Sequence, residues 1–207
     1  MAQFGVTFNC GEITLEGALE IPEGKSIFPG VVLCHPHPLY GGDMNNNVIT
    51  AVSRSLSEQG SASLRFHFRG AGNSEGYFAD GIGEQEDAKA ALYYLSNREE
   101  INQDALGLLG YSFGGMVALP VGINSGLVKA LAAISPVIPE DLQWDMVKPV
   151  YIIWGTEDHF VPPPTEEEME KLPSNVKLEM ARGASHFWWG NEKKAAAKIA
   201  DFFQDNL

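Results

Sequence analysis

ALGLLGYSFGG, residues 105–115, runs from an apolar stretch into a cluster of glycines around a single serine. Ala105 to Leu109 reads as a strand buried on both faces, since a half-exposed strand would alternate. A helix is expected from about Phe113, so Gly110-Tyr111-Ser112-Phe113-Gly114 falls on a strand–turn–helix junction. A serine at the apex of so tight a turn has its hydroxyl pushed out above the sheet. Side chains at the flanking positions would strike neighbouring backbone, hence glycine there. With 22 glycines in the chain the bare G-x-S-x-G spacing carries little weight, and its strand–helix context supplies the rest. Pro120 lies inside the following helix and predicts a kink or an early end.

The same alternation extends in both directions. QFGVTFNC and ITLEGALEIP read as an antiparallel pair that opens the chain. PGVVLCH (29–35), SASLRFHFRG, KALAAISPV, PVYIIWGTED and VKLEMARG read as further strands. Helices are expected over roughly 46–59, 83–97, 163–172 and 190–206. Repeated strand–helix alternation with buried strands implies one α/β domain over residues 1–207, with a mostly parallel central sheet and helices on both faces. The dozen residues 138–149 between two strands are too few for a cap domain, so the site is expected to be open and shallow.

The 207 residues carry 27 acidic and 14 basic side chains, a net charge of −13. Such a surface repels phosphate backbones and anionic lipid, so neither nucleic acid nor membrane is expected as a partner. Two cysteines, Cys10 and Cys34, make no disulfide framework and suit a reducing compartment. With no signal-peptide pattern at the N-terminus and no run of membrane-spanning length, the expectation is a cytoplasmic protein. Nothing in the sequence speaks for or against a homo-oligomer.

An activated serine needs a base and an orienting acid. In this architecture sites form beyond the carboxyl ends of the strands, with the partners in the chain order serine, acid, histidine. After Ser112, PVYIIWGTED ends in Glu157-Asp158 and VKLEMARGASH ends in His186. Asp158 is the better acid, a short carboxylate with little freedom, and Glu157 is the fallback. His159 adjoins Asp158 and points elsewhere. His67 reads as a packed strand histidine, and His35 and His37 precede the serine. His186 is left as the base.

CHPHPLYGG (34–42) admits two readings. His35 and His37, two apart on extended chain, would face the same way with Asp43 nearby, as the ligands of a metal site do. No third or fourth ligand has the spacing, and the serine and histidine need no metal, so none is expected, nor any cofactor. The other reading uses backbone. Pro36 and Pro38 have no N–H, so the His37 amide between them is presented, with Leu39 as second choice. Together with the Phe113 amide it would form an oxyanion hole. Gly70-Ala71-Gly72-Asn73-Ser74-Glu75-Gly76 has the wrong spacing for a dinucleotide fingerprint. Arg69 is expected to anchor this turn through loop carbonyls, in preference to meeting a carboxylate-bearing substrate. Trp188 and Trp189 would line a substrate pocket or pack the last helix on the sheet, and Tyr40, Phe78 and Phe113 stand equally open between pocket and core.

GYSFGG, GTED and GASH resemble the α/β-hydrolase superfamily across nearly the whole chain. More narrowly, CHPHPLYGGDMNN, RFHFRGAGNSEGYF, GEQEDAKAAL and GYSFGG resemble small, lidless bacterial serine hydrolases or esterases related to the dienelactone hydrolases. The resemblance implies Ser112 as nucleophile, His186 as base and Asp158 as its partner, and makes the RGAGNS turn a structural one at the pocket rim. Dienelactone hydrolases proper carry cysteine where this chain has Ser112, which counts against lactone chemistry. The expected activity is hydrolysis of a carboxylic ester on a small-molecule acyl substrate. A thioester or peptide bond, or a non-catalytic binding module on the same fold, are the rivals.

Overall fold

The computed structural model of the chain describes residues 2–24, 26–144 and 147–207. The strands are β1 (Ala2–Cys10), β2 (Ile13–Ile21), β3 (Phe28–Cys34), β4 (Ala62–Phe66), β5 (Ile101–Tyr111), β6 (Val128–Ile134), β7 (Val150–Glu157) and β8 (Val176–Ser185). The helices are α1 (Asn47–Glu58), α2 (Ile82–Ser96), α3 (Phe113–Asn124), α4 (Glu166–Glu170) and α5 (Glu192–Asn206). The strands form one sheet in the order β1-β2-β4-β3-β5-β6-β7-β8. β2 runs against both β1 and β4, and every other pairing is parallel.

Alternation along the buried strands feeds two cores. Val31 and Leu33 of β3 face α1 and α5, where they meet Val52, Leu56 and Ile199. Val32 and Cys34 face α2 and α3, with Leu92 and Val117. Each such aliphatic side chain contributes roughly 1.5–3 kcal/mol by leaving water.

β3 lies between β4 and β5. From β3 the chain crosses one face through α1 to β4, then returns over the other face through α2 to β5. The winding therefore reverses at β3 and β5, which opens a crevice beyond their carboxyl ends. The CHPHP loop and the serine turn both end in that crevice. Among the described residues of 138–149 there is no helix or strand, and 145 and 146 lie outside those described. No described helix is long and apolar enough to cross a membrane.

Three local expectations need correction. The helix expected over 163–172 is only Glu166–Glu170. Prolines at 162–164 hold the chain extended up to the Thr165 cap, and Pro173 follows closely. α3 does not end early at Pro120 but continues to Asn124, whose side-chain amide donates to the Pro120 carbonyl at 2.9 Å. Arg69 does not hold its turn through loop carbonyls. It pairs with Asp87 of α2, with Nη2–Oδ1 at 2.7 Å and Nε–Oδ1 at 3.0 Å, while its backbone N–H reaches Oδ2 at 2.9 Å. Eighteen residues of sequence separate the partners, so only tertiary packing reveals the pair.

Asp87 is fully buried and receives all three of these donors. Removing one partner of such a pair strands the other, at a typical cost of about 3 kcal/mol. Asp87→Ala is expected to lower the unfolding free energy by about that amount in urea titrations. A loss no larger than that of an exposed control such as Glu86→Ala would contradict this role.

Candidate active site

Ser112 occupies the turn between β5 and α3 with φ 56° and ψ −119°, a conformation rare for a residue with a side chain. The turn closes only because its glycines lack Cβ atoms. A Cβ on Gly110 would lie 2.1 Å from the Gly114 carbonyl oxygen, and one on Gly114 would lie 2.1 Å from the Cys34 carbonyl oxygen. The first turn of α3 is therefore pressed against the end of β3.

The residues read from the sequence as nucleophile, base and acid meet here. Ser112 Oγ lies 2.9 Å from His186 Nε2, and His186 Nδ1 lies 2.8 Å from Asp158 Oδ2. Asp158 Oδ1 accepts from the Phe160 and Val161 backbone N–H groups at 3.1 and 2.9 Å. Burial pushes the Asp158 carboxyl upward, but hydrogen bonds from His186, Val161 and Ser135 outweigh it and hold the pKa below the usual carboxylate range. Glu157, the fallback acid, and His159 both face solvent.

Sequence reasoning missed three supports of this chain. The Tyr111 hydroxyl donates to the His186 carbonyl at 2.6 Å, which fixes the backbone of the histidine from within the serine turn. Ser135, fully buried at the end of β6 with φ 41°, accepts from the Trp188 indole N–H at 3.2 Å, and its hydroxyl helps to hold the Asp158 pKa down as a hydrogen-bond donor. Trp188 is thus corrected from a pocket candidate to a core residue: it is fully buried and packs α5 on the sheet. The unusual φ values at Ser135 and Trp188 leave no mark in the sequence, because neither residue is a glycine.

His35 and His37 do not face the same way. His35 is buried against Phe68, with Nε2 accepting from the Phe68 N–H at 3.1 Å and Nδ1–H donating to the Pro36 carbonyl at 2.6 Å. Both ring nitrogens are used within the protein, and burial lowers the pKa to about 4. His37 begins a short 3-10 turn over Pro38–Tyr40, which swings its ring against Tyr40, Phe78 and Phe113 at 4.6–4.8 Å between centroids. Burial lowers its pKa, opposed by the charges of Glu84 and Asp80. The Leu39 N–H, the second choice as oxyanion donor, is turned to His37 Nδ1 at 3.2 Å. Among the described residues the His37 N–H has no acceptor, and the Phe113 N–H opens α3 where helical backbone offers none.

The RGAGNS turn is bound to the β1–β2 hairpin. Ser74 Oγ donates to the His67 carbonyl and accepts from the Glu16 N–H, and the Glu75 N–H reaches the Thr14 carbonyl. Of the remaining pocket candidates, Phe78 is half-buried against His37, whereas Tyr40 and Trp189 are exposed. Surface clefts of about 400, 450 and 610 Å³ are lined by other parts of the chain. Ser112 and His186 each keep 8% of their surface in contact with solvent.

An uncharacterized protein of Rickettsia prowazekii is 31% identical over 202 residues, covering 90% of this chain and 84% of that protein. A solved α/β serine hydrolase homologue from Coxiella burnetii is 30% identical, with a TM-score of 0.82 over 100% of this chain and 98% of the other. An α/β serine hydrolase without a lid from Xanthomonas campestris is 28% identical, with a TM-score of 0.82 over 99% and 93%. The sequence model of the dienelactone hydrolase family matches residues 80–202, from the start of α2 into α5, and this chain belongs to that family, with an α/β-hydrolase fold and no lid.

Proposed function

We propose that this protein is a serine hydrolase that cleaves a carboxylic ester of a small-molecule acyl substrate through an acyl-enzyme. The observation that carries this reading is the unbroken chain from Ser112 Oγ through His186 to Asp158, at 2.9 and 2.8 Å. His186 Nε2 takes the hydroxyl proton as Oγ bonds to the carbonyl carbon. Asp158 holds the tautomer with the proton on Nδ1 and stabilises the imidazolium that forms. The His37 and Phe113 amides receive the oxyanion. As the tetrahedral intermediate collapses, the C–O bond to the alcohol breaks and Nε2 returns the proton to the leaving oxygen. Water, deprotonated by the same imidazole, then releases the acid and restores Ser112. Serine at the elbow, in place of the cysteine of dienelactone hydrolases proper, favours a simple ester over a lactone. Cys10 and Cys34 are both free thiols, which fits a cytoplasmic setting.

Screening esters, thioesters and amides of matched acyl length tests the bond class: esters are expected to turn over fastest. Ser112→Ala is expected to reduce turnover on the order of 10³-fold or more and to abolish fluorophosphonate labelling. Labelling that persists in this variant would remove Ser112 from its role. Absence of both labelling and turnover in the wild type would instead favour a binding module.

Asp158→Asn is expected to lower kcat on the order of 10⁴-fold with the fold retained, as judged by circular dichroism. Glu157→Gln should be nearly silent, and the reverse ranking would reassign the acid.

His37→Ala keeps the backbone N–H, whereas His37→Pro deletes it and should lower kcat on the order of 10² to 10³-fold. Thermal melts control for damage to the loop. Equal losses in the two variants would show that the imidazole, not the amide, is used.

A further inference from the structure

Exposed rings gather on one side of the Ser112–His186 pair. Phe160 and Trp189 are 72% and 73% exposed and Phe187 is 39% exposed. Phe187 and Trp189 stack at 5.0 Å and 19°, Phe160 meets Phe187 at 5.1 Å and 71°, and Phe160 lies nearly parallel to the His186 ring at 5.8 Å. Single exposed aromatics need no explanation, but a contiguous set bordering a reactive pair marks a surface that something covers.

The set is held in place by the site itself. Phe160 follows the acid, whose Oδ1 accepts the Phe160 N–H, and Phe187 follows the base. Between Phe187 and Trp189, Trp188 buries its indole in the core with φ 58°, so its two neighbours project outward together.

Chemistry assigns the occupant to one half of the substrate. In the collapse of the tetrahedral intermediate the leaving oxygen takes a proton from His186 Nε2, so it must come within about 3 Å of that atom. The oxyanion points the other way, toward the His37 and Phe113 amides. Whatever is bonded to the leaving oxygen therefore lies on the imidazole side, where these rings stand. We infer that Phe160, Phe187 and Trp189 form a leaving-group shelf selecting esters of alcohols that carry a flat aromatic ring. The inference rests on the proposed roles of Ser112 and His186. Ring faces reward a planar partner by offset or edge-to-face stacking, beyond what an aliphatic group of equal area gains.

Two acetate esters separate the shelf from the chemistry, because 2-naphthylmethyl acetate and its saturated counterpart decahydro-2-naphthylmethyl acetate match in carbon count and leaving-group basicity and yield the same acetyl-enzyme. The wild type is expected to prefer the naphthylmethyl ester in kcat/KM, and Trp189→Ala with Phe160→Leu to reduce that preference about tenfold. The change should fall on acylation and not on deacylation of the acetyl-enzyme, from which the alcohol has departed. Equal preference in wild type and variant overturns the shelf, as does an equal loss in deacylation, which would mean that the rings only support His186. Binding supplies an arm independent of turnover. Ser112→Ala protein, titrated with 2-naphthylmethanol and followed by NMR, should bind it more tightly than decahydro-2-naphthylmethanol and lose the difference when Trp189→Ala is added. No difference in binding overturns the shelf even if esters are hydrolysed, whereas binding without any hydrolysis by the wild type refutes the proposed reaction and with it the leaving-group role, and leaves only a surface that binds flat rings.

Discussion

The approach of α3 to the end of β3 is the contact on which the site depends. A Cβ at Gly114 would stand 2.1 Å from the Cys34 carbonyl oxygen, so nothing larger than hydrogen fits between helix and strand. This contact brings the turn after β5 and the loop after β3 into one crevice. It thereby sets the Phe113 and His37 rings 4.8 Å apart and fixes where Ser112 projects. Moving α3 outward by the width of a methyl group would separate the serine from the loop that faces it and open the core beneath, where Val117 and Leu119 pack.

Asp158 plays the corresponding part on the other side of the crevice. One carboxylate oxygen receives His186, and the other closes the loop that carries Phe160 and Val161. A buried carboxylate is stable only when its lone pairs are filled, so the hydrogen bonds that lower its pKa are also those that shape the loop. Ser135 and Trp188 extend the arrangement into the core. Imidazole orientation and loop position are thus consequences of satisfying one buried charge.

Strands and helices were legible because burial imposes period: continuous apolar runs mark β3, β5, β6 and β7, and alternation marks β1 and β2. Ser112, Asp158 and His186 were legible because each follows a strand, and strand ends converge in a parallel sheet. What escaped was set by neighbours distant in sequence. Asp87 as the partner of Arg69, Tyr111 as the support of His186 and Ser135 as a donor to Asp158 are ordinary residues until the chain brings them together. Trp188 and Trp189 are chemically identical, yet one is core and the other surface. A single backbone dihedral at Trp188 separates them. The short α4 has a different cause: Pro162, Pro163 and Pro164 fix φ and lack N–H donors, so the helix starts only after the Thr165 cap.

Backbone strain in this chain is confined in a way that packing alone does not require. Among the described residues four non-glycine positions have positive φ: Asp80, Ser112, Ser135 and Trp188. Ser112 is the candidate nucleophile, Ser135 and Trp188 support the candidate acid, and the charge of Asp80 reaches His37. Such conformations cost of order 1–3 kcal/mol each and persist only where surrounding structure over-determines them. Ladder bonds supply that here, since the Ser112 N–H is held by the Ile134 carbonyl and the Ser135 N–H by the Ile153 carbonyl. The parallel sheet is therefore more than a platform. Its last backbone hydrogen bonds hold two strained serines at the ends of adjacent strands, one presenting its hydroxyl to His186 and the other to Asp158.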